Sequence, residues 1–145
     1  MCPAVAPDFH VSTVHYGIPF DLLWSHLSDP LQFPHLYPNW TTQVDRADEA
    51  SFRGVGPGGD TFRIIQRLNR DHGVIDFEII AEGGETEVSR SRLFPLPGRS
   101  CLYVHVATRS SRMDDAFWND FKCATDQDVE NARRLLEQRL VSQCP

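Results

Sequence analysis

Lysine is nearly missing from this 145-residue chain: of fourteen basic residues thirteen are arginine, and Lys122 stands alone. Such an excess serves bidentate anion recognition or reflects the codon bias of a GC-rich bacterial genome, and the second account is favoured. Positive charge is short as well. Twenty acidic residues leave the net charge at −6, whereas a nucleic-acid partner calls for a basic face, so that class is excluded. No apolar run approaches the ~18 residues of a membrane span. The opening "MCPAVAPDF" lacks the charged start and apolar core of a secretion signal. A cytoplasmic protein is expected, in which the sequon at Asn39–Thr41 carries no meaning.

The four cysteines (Cys2, Cys101, Cys123, Cys144) show no CxxC spacing, which argues against a zinc or thioredoxin-like site and for reduced thiols. Six histidines are scattered without ligand spacing. No P-loop, GxSxG elbow or HExxH motif occurs. "GVGPGG" at Gly54–Gly59 matches GxGxxG by letter, but it precedes a strand and contains Pro57, so a β-turn is the better reading. Neither a metal nor any other cofactor is expected.

What is present fits one domain over residues 1–145: 41% hydrophobic and 23% charged residues, at a length that sustains its own core. Residues 9–18 are β-branched and aromatic, with His10, Ser12, Val14 and Tyr16 on one face. "PFDLLWSHLSD" then reads as a helix beginning at Pro19 and stopped by Pro30. In "FPHLYPNW", prolines four apart leave room for one short helical turn. From Thr41 six strand-like runs alternate with "DE", "GPGG", "DHG", "EGGE" and "PGR", which is hairpin chemistry and predicts an antiparallel meander. Residues 112–140 read as one helix of about seven turns, with Asp114 and Asp115 at its positive end and Arg133, Arg134 and Arg139 near the other. Its apolar stripe runs Phe117, Trp118, Phe121, Ala124, Val129, Ala132, Leu136 and Leu140. The class is α+β: seven antiparallel strands curved around a long C-terminal helix, with two short helices after the first strand.

This order, together with "IPFDLLWSHLSDPLQFPHLYPNW" and the terminal "DDAFWNDFKCATDQDVENARRLLE", resembles the helix-grip (SRPBCC) superfamily of START and birch-pollen-allergen proteins, often described as polyketide cyclase/dehydrase or lipid-transport proteins. The resemblance covers nearly the whole chain. It implies a deep cavity between sheet and helix, but no shared catalytic set. Its members include aromatase/cyclases, lipid and steroid carriers, plant condensing enzymes and hormone receptors. The physics agrees, because a sheet bent around one helix leaves space along it, and such pockets take apolar ligands with a few polar anchors.

Within that frame the candidates for acid–base work are Tyr16, Gln66, Tyr103 and His105. Tyr16 shares the face taken as inward, and Gln66 intrudes between Ile64 and Leu68. On "CLYVHVATR" one face carries Tyr103, His105, Ala107 and Arg109 and the other Leu102, Val104 and Val106. His105 is therefore exposed if the apolar set covers the core and cavity-facing if the concave face is the polar one. In "SRSR" (Ser89–Arg92) inward serines are favoured, with Arg90 and Arg92 forming a ladder with Asp76 and Glu78 on a wet face. Trp24, His35, Tyr37, Trp40, Trp118, Phe121 and Thr125 are candidate walls of a substrate cavity. The expected partner is a hydrophobic small molecule, bound by a monomer or homodimer. The expected activity is cofactor-free cyclisation or dehydration of a polyketide-like compound, with a non-catalytic carrier or sensor as the alternative.

Overall fold

A computed structural model describes residues 8–141; Cys2 and Cys144 lie outside the described residues. β1 (Phe9–Tyr16) leads into α1 (Phe20–Leu27), a 3-10 turn at Pro30–Gln32 and α2 (Phe33–Leu36). Six strands follow: β2 (Gln43–Arg46), β3 (Ser51–Val55), β4 (Thr61–Asn69), β5 (Val74–Ala81), β6 (Thr86–Leu96) and β7 (Ser100–Thr108). α3 (Asp115–Leu140) ends the order. The strands form one antiparallel sheet, β1-β7-β6-β5-β4-β3-β2, in which the first strand closes beside the last. This is the α+β helix-grip arrangement that the sequence predicts.

Local chemistry accounts for the boundaries. Pro19 precedes α1 with extended backbone and Ser28 ends it; the Asp29 carboxylate accepts from the Leu31 amide at 3.0 Å and starts the next turn. The first strand stops at Tyr16, two residues short of the expected end, although Ile18 is still fully buried. α3 begins at Asp115, three residues later than expected, because the Asp114 carboxylate caps the Phe117 amide at 2.7 Å. "GVGPGG" is the β3–β4 turn, closed by Gly56 N–H on the Asp60 carbonyl at 2.8 Å. At Gly54 a Cβ would come within 2.4 Å of the Phe62 ring, so the missing side chain lets that ring lie across β3.

Alternation along the strands sets the two faces. Ser12 and Tyr16 of β1, Ile75 and Phe77 of β5, Ser91 and Leu93 of β6, and Tyr103 and Ala107 of β7 are buried on the concave side. On the convex side Arg92 pairs with Asp76 at 2.6 Å. Glu78 pairs with Arg67 of β4 at 2.6 Å rather than with Arg90, so the expected ladder spans three strands instead of two. α1, α2 and the buried stripe of α3 (Val129, Ala132, Leu136 and Leu140) fill the concave side with Leu23, Leu27, Phe33 and Leu36. Phe117, counted on that stripe by periodicity, is 56% exposed. Among the described residues no helix is long and apolar enough to cross a membrane, and no group of three or more His, Cys, Asp or Glu is placed to hold a metal ion.

Candidate functional site

Packing on the concave side fails along the N-terminal half of α3, where a cavity of about 160 Å³ remains. Its aromatic end is built by the short α2 segment. Phe33 meets Phe77 edge-on at 4.9 Å and Trp40 at 5.4 Å, and Trp40 stacks on Phe62 at 5.4 Å. Phe121, Ala124, Thr125 and Asp128 of α3 roof the cavity, and Glu87, Ser89 and Thr108 lie toward its rim.

The floor is polar and runs across two strands. β6 pairs with β7 so that Ser91 opposes His105 and Leu93 opposes Tyr103. Ser91 Oγ lies 2.9 Å from the Tyr103 hydroxyl and 2.9 Å from His105 Nδ1. Tyr103, Ser91 and His105 thus form one continuous hydrogen-bonded file, and with Tyr37 they line the cavity. Burial, with the charge of nearby His10 added, lowers His105 to about 4. Burial raises Tyr37 and Tyr103 above the ordinary phenol range. At neutral pH the whole file is uncharged.

Asp128 supplies the cavity's buried carboxyl group. Only 5% exposed, it accepts the Asn39 amide at 3.1 Å. Burial pushes it up to about 6 against that hydrogen bonding. Nearby, Asp126 Oδ1 accepts from Ser12 Oγ at 2.6 Å and lies 2.8 Å from His10 Nε2, fastening α3 to β1.

The residues singled out from the sequence divide accordingly. Tyr103, His105, Tyr37, Trp40, Phe121 and Thr125 line the cavity. Tyr16, Gln66, Trp24, His35 and Trp118 do not. Tyr16 is fully buried behind Tyr103, their rings edge-to-face at 6.4 Å, and its hydroxyl finds no partner among the described residues. Gln66 donates to the Ser28 carbonyl at 2.8 Å and ties β4 to the end of α1. Trp24 stacks on Phe20. His35 is exposed, its carbonyl accepting from Asn131. Trp118 is buried against Phe121 and beneath Lys122.

Asp128 is not among the sequence candidates, although a signal exists: it falls four residues from Ala124 and from Ala132, inside the apolar stripe. For His105, the open choice of face resolves toward the cavity because the polar side of β7 is the concave one.

No protein-family model matches the sequence, and neither does any curated protein. Solved structures do. Over 91% of this chain and 94% of the other, the fold is similar to the ZhuI aromatase/cyclase from Streptomyces sp. R1128, with TM-score 0.70 and 18% identity. A START superfamily protein from Mycobacterium smegmatis matches 94% of this chain and 99% of its own at TM-score 0.62 and 14% identity. The di-domain ARO/CYC BexL of the BE-7585A biosynthetic pathway matches 89% of this chain and 46% of its own at TM-score 0.67 and 13% identity. At such identities the likeness is one of fold.

Proposed function

We propose that the protein binds a hydrophobic, aromatic or polyketide-like molecule in this cavity and assists its cyclisation and dehydration by positioning and acid–base catalysis. The observation that carries this reading is the polar file of Tyr103, Ser91 and His105 lying with Tyr37 and the buried Asp128 in a cavity walled mostly by aromatic and aliphatic side chains. Ring closure between a carbonyl and an activated carbon needs a base for the C–H and a donor for the developing alkoxide; loss of water then needs an acid at the hydroxyl. Asp128, ionised above about 6, is a base at neutral pH, and the protonated phenols of Tyr37 and Tyr103 are donors. Enclosure restrains the chain, and orientation of this kind lowers barriers by several kcal/mol. A volume near 160 Å³ holds about one aromatic ring, since a cavity of about 150 Å³ holds benzene. One ring therefore closes inside, and the rest of a longer chain leaves past Glu87 and Thr108.

Incubation with a short poly-β-ketone thioester mimic tests this, with ring formation followed by absorbance and mass spectrometry. The wild type should form cyclic product faster than buffer, and Tyr103→Phe and Asp128→Asn should each slow it by tenfold or more, on the order of a single acid–base group's contribution. A carrier is the second reading, favoured by the polar groups' hydrogen-bonding to one another on a mostly apolar lining. Recovery of an extract-derived ligand unchanged by native mass spectrometry, with no ring formation above buffer, would establish the carrier instead.

A further inference from the structure

The polar floor of the cavity is a single file of hydroxyls ending in an imidazole. Ser91 Oγ stands between Tyr103 and His105 Nδ1, 2.9 Å from each. Both end residues, Tyr103 and His105, line the same cavity. Each hydroxyl has one hydrogen to give, so the bonds orient together. With Tyr103 donating to Ser91 and Ser91 to Nδ1, the ring hydrogen sits on Nε2, which is then a donor. With every bond reversed, Nδ1–H donates to Ser91 and Nε2 carries a lone pair. Reversal turns Nε2 from acid to base, and no group becomes charged.

We propose that this file is a proton wire and that the cavity interconverts the keto and enol forms of a small 1,3-dicarbonyl compound. This rests on the reading of the cavity as a binding site for enolisable molecules. In the enolising direction Nε2 takes a proton from the carbon between the carbonyls. The C–H pair becomes the new C=C bond, and the carbonyl π pair moves onto oxygen. Nδ1–H passes to Ser91, the Ser91 hydrogen to Tyr103, and the Tyr103 hydrogen to the substrate oxygen. One proton leaves carbon, one arrives at oxygen, and the protein ends with as many as it began. The opposite orientation runs ketonisation, and one proton exchange with water at each end resets the file.

Two features of the surroundings suit this chemistry. Every member of the file is uncharged at neutral pH, as burial dictates. The cavity of about 160 Å³ matches a ligand of one-ring size. The other ionisable groups near His105 are His10 of β1, Asp126 of α3 bonded to Ser12 opposite His105, and Asp128 and Glu87 on the cavity wall. Of these Asp128 titrates near 6, so a carboxylate base and a neutral wire have different pH profiles.

The test is deuterium uptake at the central carbon of ethyl acetoacetate in heavy-water buffer, followed by proton NMR and corrected for the protein-free rate. Thermal-shift titration with phenol and with ethyl acetoacetate reads binding separately. The wild type should accelerate uptake at a rate that is level from pH 5.5 to 8. Ser91→Ala and Tyr103→Phe should each lose about tenfold or more while still binding phenol, and Ser91→Thr, which keeps a hydroxyl, should recover most of the rate. If Ser91→Ala does not fold, Tyr103→Phe decides. Phenol binding without acceleration by the wild type overturns the wire and leaves the ligand-binding reading standing. Unimpaired uptake in Tyr103→Phe, or a rate that rises through pH 6 with Asp128, also overturns it. If neither compound raises the melting temperature, the cavity reading falls and the wire with it.

Discussion

Two buried tyrosines, their rings 6.4 Å apart, have opposite hydrogen-bonding circumstances. Tyr103 is bonded to Ser91, so Tyr103→Phe removes a partner from that buried hydroxyl and should cost about 1–2 kcal/mol in urea denaturation. Tyr16 has no partner for its hydroxyl among the described residues, so Tyr16→Phe should be neutral or stabilising by up to about 1 kcal/mol. Equal losses in the two variants would contradict this contrast. His105 and Asp128 make opposed contributions to the pH dependence of stability. His105 is lowered to about 4 in the folded protein from about 6.5 unfolded, so its contribution is full above 6.5 and is lost as pH falls toward 4. Asp128 is raised to about 6 from about 3.9, so its contribution is full below 3.9 and is lost as pH rises through 6. Each amounts to roughly 3 kcal/mol at most, and the two slopes largely cancel between pH 4 and 6. Asp128→Asn should expose the His105 slope, with unfolding midpoints falling on acidification. His105→Gln should expose the reverse, with midpoints falling as pH rises. Matching, flat profiles in both variants would show that neither group titrates as described. The sequence displayed His105 but could not place it, because a one-residue shift in parity exchanges solvent for cavity. Asp128 escaped because its neighbours Asp126 and Glu130 make the segment look like an ordinary acidic helix surface.

At the scale of elements, the sequence was most readable where backbone chemistry decides the outcome. Turn residues located all six hairpin strands, prolines bounded α1 and α2, and the run of residues 112–140 located α3 to within three residues. The site was less readable because it depends on which elements meet. Asn131 Nδ2 donates to the His35 and Leu36 carbonyls at 3.1 Å each, and Asp128 receives the Asn39 amide. These long-range bonds hold the α2 segment under α3 and bring Tyr37 and Trp40 to the cavity; no local pattern around residue 37 announces them. Gln66 shows the converse, a polar intrusion satisfied by the Ser28 carbonyl at the end of α1. One local element is unforgiving. Gly73, at φ 65°, ends the turn between β4 and β5, and a Cβ there would stand 2.0 Å from the Leu93 carbonyl oxygen. Gly73→Ala should destabilise the fold by about 2 kcal/mol or more, measured by urea denaturation, since the obstacle is backbone and cannot rotate aside. A change below about 0.5 kcal/mol would mean that β6 is free to move away from the turn.

For the molecule as a whole, the cavity is a place where close packing has been given up. An apolar void forfeits contacts on every wall, so the unliganded protein carries a deficit that a ligand of the right size removes. Binding to the folded state alone adds RT ln(1 + [L]/Kd), about 2.7 kcal/mol at a hundredfold excess over Kd, enough to raise the melting temperature by several degrees in a chain of this length. Filling the void from within should do part of the same. Ala124 lines the cavity from α3, and leucine is close to alanine in helix propensity, so Ala124→Leu adds three carbons where there is room and leaves the helix intact. Its unfolding free energy without ligand should match or exceed that of the wild type by up to about 1–2 kcal/mol, on the scale of the apolar surface it buries. The same variant should lose most of the phenol-induced thermal shift. Destabilisation combined with an unchanged shift would show that ligands sit outside the space between α3 and the sheet, and the functional reading built on that space would have to be abandoned.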